Sequence, residues 1–158
     1  MFAPGAQRGV LAVSRRAGDE VIADYAVAPE HVRVVYNGVD LERFQPQGGS
    51  PTMELRNALG VAAGERICLG VGSGYVRKGF DLLLRLWRED PPPGTHLVLV
   101  GRDERLGAFR REATGTKVHM LGPRDDVPVL MAAADVVCVP SRQEAFGNVV
   151  LEAMASGT

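Results

Sequence analysis

The stretch Glu144-Ala-Phe-Gly-Asn-Val-Val-Leu-Glu152-Ala-Met-Ala follows the apolar run Asp135-Val-Val-Cys-Val-Pro140. A buried strand leading to a short loop, and a loop opening a helix, is the pattern of these residues. The Phe146-Gly147-Asn148 turn places backbone N–H groups at the helix N-terminus, where the partial positive charge favours anions. Strand, glycine turn and helix together describe a ligand pocket at the carboxyl edge of a parallel sheet. Glu104 and Glu112 repeat the spacing of Glu144 and Glu152, but without the strand, the glycine turn or the Leu-Glu-Ala continuation. The filling, not the spacing, makes the stretch specific.

Working outward, the chain alternates regularly. Strands are expected at Val10–Val13, Val32–Tyr36, Ile67–Val71, Leu97–Val100, Val118–Leu121 and Val136–Val139. Helices are expected over Arg15–Tyr25 (capped by Ser14), Met53–Leu59, Phe80–Trp87, Leu106–Ala113, Val127–Ala134 and Asn148–Ala155, with Asp125-Asp126 capping the fifth. The strands are uniformly apolar and separated by single helices, which predicts a doubly wound parallel α/β sheet. Phe44 to Pro51, with Pro46, Gly48, Gly49 and Ser50, is the best linker candidate.

A second loop carries chemistry. Gly70-Val-Gly72-Ser-Gly74-Tyr-Val-Arg77-Lys78-Gly79-Phe-Asp81 follows a strand and opens a helix. Gly72 and Gly74 allow the backbone close to a ligand, and Arg77 and Lys78 set two cations beside it. From the residues alone, a phosphate loop and a tight turn with two solvated bases are equally good readings. A dinucleotide site needs Gly-x-Gly-x-x-Gly. The third spaced position here is Arg77 or Tyr75, which disfavours NAD.

The Glu144–Glu152 stretch resembles the retaining glycosyltransferases of family four, of the GT-B architecture. The variant Gly-Ser-x-x-x-Arg-Lys-Gly and the run Lys117 to Asp135 are similar to the subgroup of bacterial lipopolysaccharide core glucosyltransferases. The Asn37-Gly-Val-Asp40…Phe44 segment is similar to the family's crossover between lobes. The resemblance implies a Rossmann-like C-terminal lobe truncated at both ends. Residues 1–50 would be the tail of an N-terminal acceptor lobe plus the linker, and 51–158 a donor-binding lobe incomplete at its C-terminus.

It further implies a nucleoside-diphosphate sugar, with a UDP-sugar favoured, as donor, and no other cofactor. The acceptor would be a glycan or glycolipid, such as a lipopolysaccharide core, and the transferred sugar a hexose such as glucose, with retention. Glu144 would meet the donor sugar, and Arg77 and Lys78 the departing diphosphate; these three are the candidate catalytic residues. Gly72, Arg124, Phe146, Gly147, Asn148 and Glu152 would bind the donor. Glu152, roughly 7–8 Å along the helix from Gly147, would accept from ribose hydroxyls. Many family members place an arginine where this chain has Ser73, and Arg77 is the candidate substitute.

Bulk properties bound the rest. A chain of 158 residues that is 46% hydrophobic and 23% charged is long enough for a domain with a real core. A net charge of −1 supplies no basic excess for nucleic acid. His31, His96 and His119 are scattered, and no cluster has metal-ligand spacing, so no metal is expected. Cys68 and Cys138 in apolar runs read as reduced core residues, hence a cytoplasmic protein. Met1-Phe-Ala-Pro-Gly-Ala-Gln-Arg8 lacks the pattern of a secretory leader, and no apolar run reaches the roughly 18 residues of a spanning helix. Peripheral contact at the inner face of the cytoplasmic membrane stays open. A strand expected after Thr158 would leave an apolar sheet edge and favour self-association. The parent protein is thus expected to be a transferase and the isolated chain inactive. The alternative is a non-catalytic nucleotide-binding or interaction module built from the same lobe, with a dinucleotide oxidoreductase a distant third.

Overall fold

The computed structural model describes residues 9–158; the opening stretch read for a leader lies outside them. The chain forms two compact units, Met1–Gly38 with Glu144–Asn148, and Val39–Gln143 with Val149–Thr158.

In the first unit, β1 (Val10–Ala12) leads to α1 (Arg15–Tyr25). The Ser14 side chain accepts from the Ala17 N–H at the helix start, satisfying one otherwise orphaned donor. A 3-10 turn at Pro29–His31 then delivers β2 (Val32–Val34), which pairs in parallel with β1. Gly18 is buried on α1 because a Cβ there would already touch Val32 and Ala12 at 3.4 and 3.5 Å. The observed β2 stops two residues short of the expected Val32–Tyr36.

The second unit opens with α2 (Ser50–Ala58), which starts three residues earlier than expected. Pro51 lies in its first turn, where a missing N–H costs nothing and the fixed φ suits a helix. Phe44, at the head of the expected linker, is buried in the core instead. Next come β3 (Arg66–Val71), α3 (Phe80–Glu89), β4 (Thr95–Val100), α4 (Leu106–Glu112), β5 (Val118–Gly122), α5 (Val127–Ala133), β6 (Val136–Val137) and α6 (Asn148–Ala155). Every strand pair is parallel, in the order β5-β4-β3-β6. The doubly wound reading therefore holds. Val139 and Cys138 do not extend β6 as expected, although the Cys138 N–H still donates to Leu69 O.

Alternate strand residues feed two cores. Cys68, Leu97 and Leu99 pack with Phe80, Leu84, Trp87 and Phe109 on one face of the sheet. Ile67, Leu69, Val98 and Val100 pack with Leu130, Met131 and Phe44 on the other. The register explains the partition, since Cys68 lies beside Leu97 and Leu69 beside Val98. Parallel strands covered on both faces cannot alternate with polar residues, which is why they read as continuous apolar runs. Both cysteines are free thiols, with the Sγ of Cys68 on β3 3.2 Å from that of Cys138, just after β6.

At the amino ends of the strands lies a polar chain. His96 Nδ1 is 2.9 Å from His119 Nε2, and His96 Nε2 is 3.0 Å from Glu65 Oε2. Lys117 donates to the other Glu65 oxygen, and hydrogen bonds from Lys117, Ala62 and His96 hold the carboxyl down at about 2. With Glu65 a carboxylate, His96 donates to it through Nε2. The 2.9 Å contact then needs one proton between the two rings, not two. Burial and the neighbouring His96 hold His119 below the ordinary histidine range. A depressed histidine contributes stability that is complete above the unfolded value of about 6.5 and is lost as pH falls through it. Thermal melting is therefore expected to drop between about pH 7.5 and 5.5. His119→Gln, which keeps a hydrogen bond but cannot charge, is expected to flatten that slope; an unchanged slope would show that His119 is not its source.

Candidate functional site

The strand order places a reversal between β3 and β6: the chain winds outward from β3 through β4 to β5, then returns to the other side of β3. In open α/β sheets a crevice forms at the carboxyl ends of the strands flanking such a reversal. The loop that follows β3 there is the Gly72–Gly79 segment, and the chain leaving β6 at Cys138 runs on through Gln143.

Lys78 is buried, with its stem laid across Gly72: a Cβ on Gly72 would come within 2.7 Å of Lys78 Cε. Only a residue without a side chain leaves that channel for the lysine. Gly79 has φ +73°, and a Cβ there would stand 2.2 Å from Pro140 O. The end of the loop is thereby pressed against the chain leaving β6. Arg77 is exposed, and its guanidinium donates to Ser73 O at 3.1 Å. The sequence-predicted pair of cations thus splits into one buried and one solvent-facing group on a single turn.

Three residues that hold this loop were not singled out from the sequence. Tyr75 is completely buried between Phe80 and Phe109, with ring centroids at 5.1 and 5.6 Å, and its hydroxyl donates to Gly101 O at 3.3 Å. Asp103 Oδ2 accepts from the Tyr75 N–H at 2.6 Å. Arg142 donates from its backbone N–H to Arg77 O at 2.9 Å. An aromatic residue between glycines in a polar loop was the one available signal for Tyr75; nothing local marked the other two. Gly74, Arg102, Asp103, Glu104 and Arg105 line an open cleft of about 600 Å³ beside the loop.

The turn after β5 carries Gly122 and Arg124. The Gly101 N–H donates to Gly122 O at 2.9 Å, so the ends of β4 and β5 are tied together. Arg124 is exposed, and both its Nε and Nη2 donate to the Asp126 carboxylate at 2.8 and 2.6 Å. That pairing raises Arg124 and lowers Asp126 from their ordinary values. Asp126 occupies the N-cap position of α5 as expected, but its side chain makes no capping bond because the arginine holds it.

On α6, Glu152 is half-buried, and no hydrogen bond to its carboxylate occurs among the described residues. Burial raises it above the ordinary carboxylate range, with nearby Arg43 pulling the other way. A raised carboxyl costs stability as pH climbs through about 4.5 and above. Glu152→Gln is accordingly expected to raise the melting temperature of the unliganded protein at about pH 7.5; an equal or lower value would contradict this.

Glu144, Phe146, Gly147 and Asn148 group with the first unit. There the Ser14 hydroxyl donates to Ala145 O at 2.6 Å, and Asn37 Nδ2 donates to Asn148 Oδ1 at 2.8 Å. The Phe146 and Tyr36 rings lie 6.0 Å apart, tilted by 32°. Gly147 is buried with φ +89°, and Glu144 is half-buried. The turn before α6 is thus held by Ser14, at the start of α1, and by Tyr36 and Asn37, which follow β2.

With this geometry in view, comparison with known proteins is informative. The pattern of the family described as Glycosyl transferases group 1 matches residues 65–158, and that of Glycosyltransferase Family 4 matches residues 4–43. The D-inositol 3-phosphate glycosyltransferase of Corynebacterium kroppenstedtii is 31% identical over 94% of this chain and 36% of its own length. The enzyme of the same name from Saccharomonospora viridis is 36% identical over 89% of this chain and 36% of its own. Among solved structures, Anabaena HepE in complex with UDP-glucose superposes with a TM-score of 0.83 at 30% identity, over 97% of this chain and 44% of that one. WaaG, a glycosyltransferase involved in lipopolysaccharide biosynthesis, gives 0.82 at 28%, over 99% and 44%. The chain therefore spans well under half the length of these relatives.

Proposed function

Because the chain belongs to the group 1 glycosyl transferases, with a GT-B-type parallel α/β fold, we propose that it supplies the donor side of a transferase that moves a hexose from a nucleoside-diphosphate sugar. The observation that carries this reading is the buried Lys78 laid over Gly72 at the sheet reversal, with Arg77 on the same turn. A diphosphate is already a good leaving group. Its departure needs positive charge that is fixed before the bond breaks. Lys78 and Arg77 would supply it, with the helix start at Gly147-Asn148 contributing its N–H groups. Gly72 would admit the phosphates close to the backbone. Glu144 would orient the sugar, Glu152 would accept from the ribose hydroxyls, and Arg124 and Phe146 would border the nucleotide. In this reading residues 1–50 belong to the acceptor lobe and its linker, 51–158 to the donor lobe, and transfer proceeds with retention.

Support for a uridine nucleotide and glucose comes from the likeness to HepE, solved with UDP-glucose. Two acceptor classes have support: an inositol phosphate, from the names of the curated relatives, and a lipopolysaccharide-type glycan, from WaaG. No helix among the described residues is long and apolar enough to cross a membrane, so a lipid-linked glycan would be met at a surface. The 158-residue chain alone is expected to transfer no sugar. Reaction between two bound substrates requires the acceptor held within roughly 3–3.5 Å of the sugar carbon, and acceptor groups are not among the donor residues named here.

Calorimetric titration with UDP, UDP-glucose and NAD tests the reading. Binding of the uridine nucleotides is expected, weakened in Glu152→Ala by about 1–3 kcal/mol for a lost charged hydrogen bond. The loss should be smaller for 2′-deoxy-UDP. Tighter binding of NAD than of UDP would overturn the reading.

A further inference from the structure

Arg142 stands exposed two residues before Glu144. Both its terminal nitrogens turn toward the glycine loop and α3. Nη1 and Nη2 meet the two Asp81 carboxylate oxygens at 2.6 and 2.8 Å, and Nη1 also donates to Val76 O. Its backbone N–H takes the next carbonyl, Arg77 O, at 2.9 Å. Asp81 lies in the first turn of α3, and the hydrogen bond from Arg142 holds it below the ordinary carboxylate range.

Arg142, in the segment that follows β6, therefore binds two successive carbonyls of the glycine loop and a carboxylate of the helix that the loop opens. Within the loop, the Lys78, Gly79 and Phe80 N–H groups donate to Gly74 O, Val76 O and Tyr75 O, and toward β4 the loop is tied by Asp103 on the Tyr75 N–H and by the Tyr75 hydroxyl on Gly101 O. Gly79 against Pro140 O sets how close the loop can come to the chain that follows β6. Building on the donor-site reading, we infer that Arg142, through its fork on Asp81 and Val76 O, is a positioning residue that fixes where Arg77 and Lys78 sit, and does not itself bind the donor.

The pair is roughly one-third exposed or more on each side, so solvent screens it and its net worth to folding is small. Arg142→Ala should fold, which makes the test clean. The probe is release of UDP from UDP-glucose by the full-length protein, with water as acceptor: the bond from the sugar carbon to the β-phosphate oxygen breaks, water supplies the new oxygen, and UDP leaves. Arg142→Ala is expected to lower kcat about 10- to 100-fold, as misplaced catalytic groups do. The donor KM should move by less than about threefold, because ground-state contacts remain. Asp81→Asn should behave alike, and the double variant should be no worse than either single one, since both remove one contact. Amide hydrogen exchange should quicken at Val76–Gly79 and stay unchanged at Leu83–Trp87.

Unchanged kcat with quickened exchange would overturn the inference. So would a large rise in KM with additive single variants, which would make Arg142 a direct donor ligand. A wild-type protein that binds no UDP would overturn the inference together with the donor-site reading. The exchange pattern then separates the failures: quickening confined to Val76–Gly79 would show the clamp to be real and the donor assignment wrong.

Discussion

Replacing Arg77 and Lys78 together with alanine in the full-length protein is expected to lower UDP release from UDP-glucose by about 10²–10³-fold, the usual cost of removing preorganised donors at a site of developing charge. The fall in kcat should exceed the rise in KM. Charge accumulates on the diphosphate as the bond breaks, so a fixed cation gains more in the transition state than in the bound ground state. The two residues should not contribute alike. Lys78 is buried and laid in a channel over Gly72, whereas Arg77 is exposed and donates to Ser73 O. A charge removed from water acts through a weaker dielectric screen, so Lys78→Ala alone should account for most of the loss. Steady-state kinetics of both single variants and the double one would check this. Undiminished turnover in the double variant would remove these residues as leaving-group stabilisers.

The second large effect is on stability. Tyr75→Ala is expected to cost about 3–5 kcal/mol in denaturant unfolding, the range for deleting a buried aromatic ring. The ring has no exposed surface and sits edge-on to Phe80 and against Phe109, where burial raises its phenol to about 12. Tyr75→Phe removes only the 3.3 Å bond to Gly101 O and should cost about 1 kcal/mol. The contrast between the two variants shows whether ring packing outweighs the hydroxyl's hydrogen bond, as these values require. A loss below about 1 kcal/mol for Tyr75→Ala would mean that the loop can collapse into the vacated space.

Most of the architecture was legible because parallel strands buried on both faces write themselves as unbroken apolar runs. Ile67–Val71 and Leu97–Val100 are such runs, and α1 and α6 begin and end where Ser14, Gly147 and Gly157 punctuate the chain. The misses fall where tertiary contacts override local pattern. Tyr36 looks like strand, yet it lies beside Phe146, more than a hundred residues away. Phe44 looks like the start of a linker, yet the second core buries it. The candidate site divides the same way. Gly72, Arg77 and Lys78 stand together in the sequence and on one turn, so their grouping was readable. Tyr75, Asp103 and Arg142 act on that turn from the core, from the segment after β4 and from the segment after β6. Such partners are chosen by the strand order β5-β4-β3-β6, which no local pattern records.

The most direct test is the position of a bound diphosphate, read from a crystal structure of the protein with UDP. The expected result is phosphate oxygens within hydrogen-bonding distance of Lys78 Nζ, beside Gly72 at the carboxyl end of β3, with the ribose hydroxyls on Glu152. UDP bound at the opposite edge of the sheet, near His96 and His119, would contradict the donor-site assignment.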